Sequence, residues 1–198
     1  MPAPTGIGLV LNYSDGMSIH HLFFNSVVAT LLWCGVAAAQ TAELDSLFDR
    51  LAQADPSEAE GIRGQIETQW SRSGSPAMDL LLRRGEDALA DGNPALAVDH
   101  LSALIDHAPD FAQGYSLRAS AFYAQEQIGL ALDDLRTALE LNPRHFNAMR
   151  GLAVILQQLD RPQEALEVYQ RIRDIAPHID GVDMAIDRLS VELDGTSL

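Results

Sequence analysis

Four histidines follow residue 40, His100, His107, His145 and His178, and the chemistry that would draw on them is metal binding. A zinc-type site asks for two imidazoles on one helical face, or one imidazole with a carboxylate three or four residues away. Only His145 and His178, in successive turns, approach such a pair. Three of the four lie near helix ends, where a cation interacts favourably with the helix dipole. Surface and capping roles are therefore expected of them, and no metal site. The carboxylate pairs Glu86-Asp87 and Asp133-Asp134 are adjacent in sequence, so on a helix they diverge by about 100° and cannot converge on one bond. Ser73-Gly74-Ser75 reads as a linker, and the chain has no Gly-rich phosphate loop, His-Glu-x-x-His or Gly-x-Ser-x-Gly. No catalytic residue and no cofactor are expected. Arg84 and Arg118 invite a ligand-binding reading because each stands where a packed frame wants an apolar residue. Arg118 has Asp134 sixteen positions on, whereas Leu152 and Val168 fill the same two slots one block later. A charged pair exchanged for an apolar pair implies that the slots touch, and Arg118 is expected to bond Asp134.

That comparison between blocks rests on the frame that positions these side chains. From Met78 to Ile179 the same kinds of residue return every 34 positions. Small residues recur at Gly85, Ala119 and Ala153 and at Ala97, Ala131 and Ala165. Prolines recur at Pro109, Pro143 and Pro177, and large apolar residues at Leu81, Tyr115 and Met149 and at Leu101, Leu135 and Tyr169. Each block divides into two helix-period runs around a turn such as Asp91-Gly92-Asn93-Pro94. There Asn93 can cap the second helix, and Pro94 takes its first position, where a missing N–H costs nothing. The small residues let two helices approach closely, and the late proline stops the second one.

These residues resemble the tetratricopeptide repeat (TPR) family, with three blocks in frame at 78–111, 112–145 and 146–179, about half the chain. The resemblance implies an all-α fold, a right-handed superhelical solenoid of three helical hairpins with a concave groove. Leu104 and Ile172 stand where the family places a small residue, so wider crossings are expected around the first and third repeats. The groove implied by the resemblance takes positions 2, 5, 9 and 12 of each first helix. Here these are Asp79, Leu82, Glu86 and Leu89, then Gln113, Ser116, Ser120 and Tyr123, then Asn147, Arg150, Val154 and Gln157. Two acids and one arginine leave this wall nearly neutral, so the expected ligand is an extended segment held by apolar contact and hydrogen bonds. Tyr123 is its expected centre, with Arg150 taking an acidic or carbonyl group.

The chain of 198 residues has a formal net charge of −15, and every basic residue is arginine. Such acidity argues against nucleic acid or an anionic membrane surface as partner, since both reward basic patches. From Leu22 to Ala39 runs an apolar stretch ending Ala37-Ala38-Ala39 before Gln40. It resembles a secretory signal peptide covering residues 1–39, with 1–16 from an upstream start and Met17 near the natural one. An uncleaved anchor helix over 22–39 is the alternative. Cys34, the single cysteine, lies inside this stretch, so the processed chain would have no thiol chemistry. Residues 40–76 read as an N-terminal helical hairpin and linker: Leu44, Leu47, Phe48 and Leu51 share one face, Ser57 with Glu60 reads as a capping box, and Ser71–Pro76 reads as a hinge. Residues 180–194 read as an amphipathic capping helix, which a repeat array needs at its end.

The expectation is a non-catalytic, exported, periplasmic interaction module, a monomer with a protein or peptide partner, no nucleic acid, and no membrane once the signal is removed. A membrane-tethered assembly factor for an envelope complex, as in cytochrome c maturation, and a self-assembling scaffold are the alternatives.

Overall fold

The computed structural model describes residues 41–195, and the expected leader lies outside the described residues. Every regular element among them is helical. Helix α1 covers residues 41–51 and α2 Pro56–Trp70. Three hairpins follow: α3 (Pro76–Ala90) with α4 (Pro94–His107), α5 (Ala112–Ala124) with α6 (Ile128–Leu141), and α7 (Phe146–Gln158) with α8 (Pro162–Ile175). Helix α9 (Val182–Gly195) closes the series. Each second helix ends two residues before its repeat proline, at His107, Leu141 and Ile175, as a ring that clashes with the preceding turn requires. The order is that of a TPR solenoid, and no described helix is long and apolar enough to cross a membrane.

The turn inside each repeat has one construction. The backbone N–H of Asn93, Gln127 and Arg161 bonds the carbonyl five residues back, at Ala88, Phe122 and Leu156. That 6→1 closure needs a left-handed residue just before the donor. Gly92, Glu126 and Asp160 occupy that slot, with φ of 71°, 60° and 56°. Only the first repeat supplies the glycine that adopts this conformation freely. Asn93 caps α4 as expected, its Oδ1 accepting from Leu96 N–H at 3.2 Å.

The recurring small residues mark the helix crossings. Ala97, Ala131, Ala153 and Ala165 are fully buried and Ala119 nearly so. At Gly85 a Cβ would lie 2.6 Å from Leu101 Cγ, so the α3–α4 contact has no room even for alanine. The large Leu104 fits because Gly114 faces it: a Cβ there would come 3.1 Å from Leu104 Cδ2. A bulky residue on α4 is thus matched by a missing side chain on α5.

Both ends of the solenoid depart from the sequence reading. The α2 cap is Asp55, which accepts from Ser57 and Glu58 N–H, not Ser57 in a capping box. These bonds hold the exposed Asp55 carboxyl below the usual aspartate range, that from Ser57 Oγ first. The expected hinge is a bonded turn, in which Asp79 Oδ1 accepts from both Ser73 N–H (2.8 Å) and Ser73 Oγ–H (2.6 Å). At the other end α9 buries Val182, Ile186 and Leu189 as expected, while its outer face still exposes Met184 and Val191.

Candidate functional site

The N-terminal hairpin packs on the third repeat, far from its neighbours in sequence. Leu47, Phe48, Leu51, Ala59, Ile62, Ile66 and Trp70 share one core with Phe146, Met149, Ala153, Leu156 and the buried face of α9. At its centre Trp70 stacks on His145, with ring centroids 4.3 Å apart and planes 18° from parallel, and tilts against Phe146 at 4.7 Å. Around that stack Asn147 Nδ2 donates to Glu67 Oε1 (2.8 Å), Arg63 donates to the His178 carbonyl (2.6 Å), and Arg144 pairs with Asp45 while lying over the Phe48 ring.

His145, expected at the surface, is fully buried. It does cap a helix, but at the start of α7 and as an acceptor rather than as a cation at a helix C-terminus: Nδ1 accepts from Ala148 N–H at 3.2 Å. An accepting Nδ1 leaves the proton on Nε2, 2.8 Å from Gln113 Oε1, so the bonds describe a neutral imidazole. Burial pushes its pKa down to about 4. Among the described residues no group of three or more metal-ligating side chains converges.

Four of the twelve groove residues converge. Ser116, Ser120, Tyr123 and Asn147 line a recess of about 100 Å³ between α5 and α7, completed by Ala119, Leu135, Gly151 and Ile155. The recess exists because its walls are small. Gly151 in particular stands where the earlier repeats carry Arg83 and Leu117, and that break in the register was the sequence signal for it. Tyr123 remains 39% exposed, enough for a ligand to reach its ring; Val154, 37% exposed, does not line the recess. Arg150 opens onto an adjoining recess with Asn147, Glu60, Arg63, Glu67 and Asp180, and forms no ion pair among the described residues.

The other groove residues are engaged elsewhere. Leu82, read as groove, is core instead: it is 1% exposed and clusters with Leu101, Leu104 and Ala121, because an apolar side chain facing the next repeat gains more from burial than from solvent. Leu89 packs half-buried against the same cluster. Asp79 serves the 73–75 turn, and Gln113 serves His145. Gln157 donates to Tyr169 Oη at 2.9 Å and accepts from Arg188. Glu86 is half-buried, and that burial, then the neighbouring Asp87 charge, holds its carboxyl above the usual glutamate range, with Arg83 opposing.

Arg118 is structural. Its Nε and Nη2 bond the two oxygens of Asp134 at 2.7 and 2.8 Å, joining α5 to α6, and Nη1 reaches Ser102 Oγ of α4 at 3.1 Å. The guanidinium also lies 5.7 and 5.6 Å from the Tyr115 and Phe122 ring centroids. The bond to Asp134 is the main cause holding the guanidinium pKa above its ordinary value.

Known proteins share this architecture. A tetratricopeptide repeat profile matches residues 82–134 and 116–178. A TPR repeat-containing protein of Rhizobium etli is 30% identical over 153 residues, which are 77% of this chain and 75% of that one. The small glutamine-rich tetratricopeptide repeat-containing protein 2 of Saccharomyces cerevisiae is 27% identical over 60% of this chain, a match spanning 34% of its own length. Among solved structures, the first TPR domain of Spaghetti bound to an HSP90 peptide superposes with a TM-score of 0.58, at 22% identity, over 61% of this chain and 98% of that one. MamA superposes with a TM-score of 0.55, at 19% identity, over 71% and 86%. The profile falls in the frame of the repeats, and the Rhizobium relative matches over three quarters of both chains; this chain belongs to the tetratricopeptide repeat family.

Proposed function

We propose that the chain is a non-catalytic adaptor of the cell envelope that binds an extended peptide segment of a partner protein along its first-helix face. The observation that carries the reading is the recess between α5 and α7, where Ser116, Ser120 and Asn147 offer hydrogen bonds beside the exposed ring of Tyr123. The Spaghetti domain holds an HSP90 peptide on the same fold, and the TPR2B domain of yeast Sti1 forms a complex with pHsp70. Arg150, without an ion pair among the described residues and one recess away, suits a carboxylate or carbonyl of the same segment.

The probe is a peptide selected from a displayed random library against the full chain, titrated at low and high salt. Tyr123→Ala should weaken binding by about 1–3 kcal/mol, as removal of a buried aromatic anchor does. Salt should matter only modestly, because short contacts escape the screening that weakens long-range charge. Affinity that collapses with salt yet ignores Tyr123→Ala and Arg150→Ala would move the site to the acidic outer surface.

Export is the second part of the proposal, supported by the apolar run at 22–39 and the Ala37-Ala38-Ala39 boundary. Intact mass of the protein from its native cell should begin at Gln40, in the soluble envelope fraction. Retention of Met1 or Met17 in the membrane pellet would favour the tethered alternative.

A further inference from the structure

The α1–α2 hairpin joins the core of the third repeat and α9 through its apolar face, with few polar contacts and one aromatic stack beside it, and two features weaken it that its packing does not require. The Trp70 indole N–H is buried with no hydrogen-bond partner among the described residues, a cost absent when the hairpin is free in water. Gly61 and Gly64 lie inside α2, and a Cβ at either would meet nothing within 4 Å. Alanine would fit both positions and favour the helix, so each glycine leaves α2 less stable than its surroundings allow.

We propose that this hairpin is a displaceable occupant, and that the surface beneath it receives an amphipathic helix of a partner protein in its place. The surface comprises Arg144, His145, Phe146, Asn147 and the His178 carbonyl, beside the apolar Met149 and Leu156 of the shared core. Helix α2 states the chemistry required of its replacement. An aromatic ring must cover the His145–Phe146 shelf, a carboxylate three residues earlier must meet Asn147, and a cation four residues before that must reach the turn carbonyl, as Trp70, Glu67 and Arg63 do. Asn147 also borders the recess of Tyr123, so displacement would join the two seats into one longer surface. The inference extends the peptide-binding reading but uses a different seat.

The test uses a fluorescein-labelled peptide of residues 56–70 carrying alanine at 61 and 64, titrated against three full-length chains. Trp70→Ala loosens the chain's own hairpin and should bind the peptide at least tenfold more tightly than wild type. Gly61→Ala/Gly64→Ala holds the hairpin down and should bind at least fivefold more weakly than wild type. Equal affinity for all three chains, or no binding to the Trp70→Ala chain, would overturn the proposal. Light scattering at the same concentrations should show monomers; dimers appearing when the hairpin is loosened would make a second copy the occupant, and would overturn it too. Tyr123→Ala should leave this peptide's affinity unchanged while reducing that of the library-selected peptide, so either reading can fail without the other.

Discussion

Asp134→Ala is expected to destabilise the folded chain by roughly 2–4 kcal/mol, several times what an exposed ion pair contributes. The Arg118 and Asp134 side chains are 19% and 9% exposed, so the pair is largely out of water while retaining some solvent screening. Removing the carboxylate leaves a guanidinium wedged between α4, α5 and α6 with Ser102 Oγ, two aromatic rings and the Asp106 charge as its partners among the described residues. Replacing both residues with the Leu and Val of the third repeat should recover most of the loss, since a buried pair and a well-packed apolar pair are often equivalent. Chemical denaturation of the two single variants and the double variant reads this directly. Coupling near zero in that cycle would show that Arg118 is not held by Asp134, and would return it to the candidates for ligand binding.

The second large effect is a loss of stability in mild acid. His145 has a pKa of about 4 in the folded chain, against about 6.5 for an unperturbed imidazole. A depressed folded pKa means that the unfolded state binds the proton first. The contribution of neutral His145 is therefore complete above about pH 6.5 and is lost as the pH falls towards 4, amounting to on the order of 3 kcal/mol. The geometry gives the same sign, because a proton on Nδ1 would face the Ala148 N–H that this atom now accepts. Carboxylates titrate in the same window, Glu86 with the opposite sign, so the decisive quantity is the difference between wild type and His145→Gln. That difference should shrink steadily between pH 6.5 and 4 and stay flat above pH 7. A constant difference throughout would show that His145 titrates normally.

The repeats were legible because their constraints are local and recur. A crossing without room for a Cβ returns as Gly85, Ala119 and Ala153, and a helix stop returns as a proline. The Arg118–Asp134 contact was legible by the same logic, since the third block displayed an apolar version of it. The burial of His145 was not, because it depends on Trp70, which reaches it from outside the 34-residue frame. No spacing rule connects Glu67 to a side chain 80 residues away. The groove stripe was partly legible. Its residue types suited a concave wall, but whether each side chain faces solvent depends on its neighbours, and Leu82, Gln113 and Gln157 found partners within the chain.

The Arg63–His178 bond spans 115 residues and fixes the order in which this chain can assemble. A repeat array gains its stability from contacts between neighbours and can begin folding at any point along its length. Closing a flexible loop of that size costs on the order of 4 kcal/mol in entropy before the contact returns anything. Once the intervening helices have stacked, the two ends already lie close and most of that cost is gone. The hairpin is synthesised before the repeats, yet it must wait for the last of them to emerge, and its docking reports that the whole array is in place.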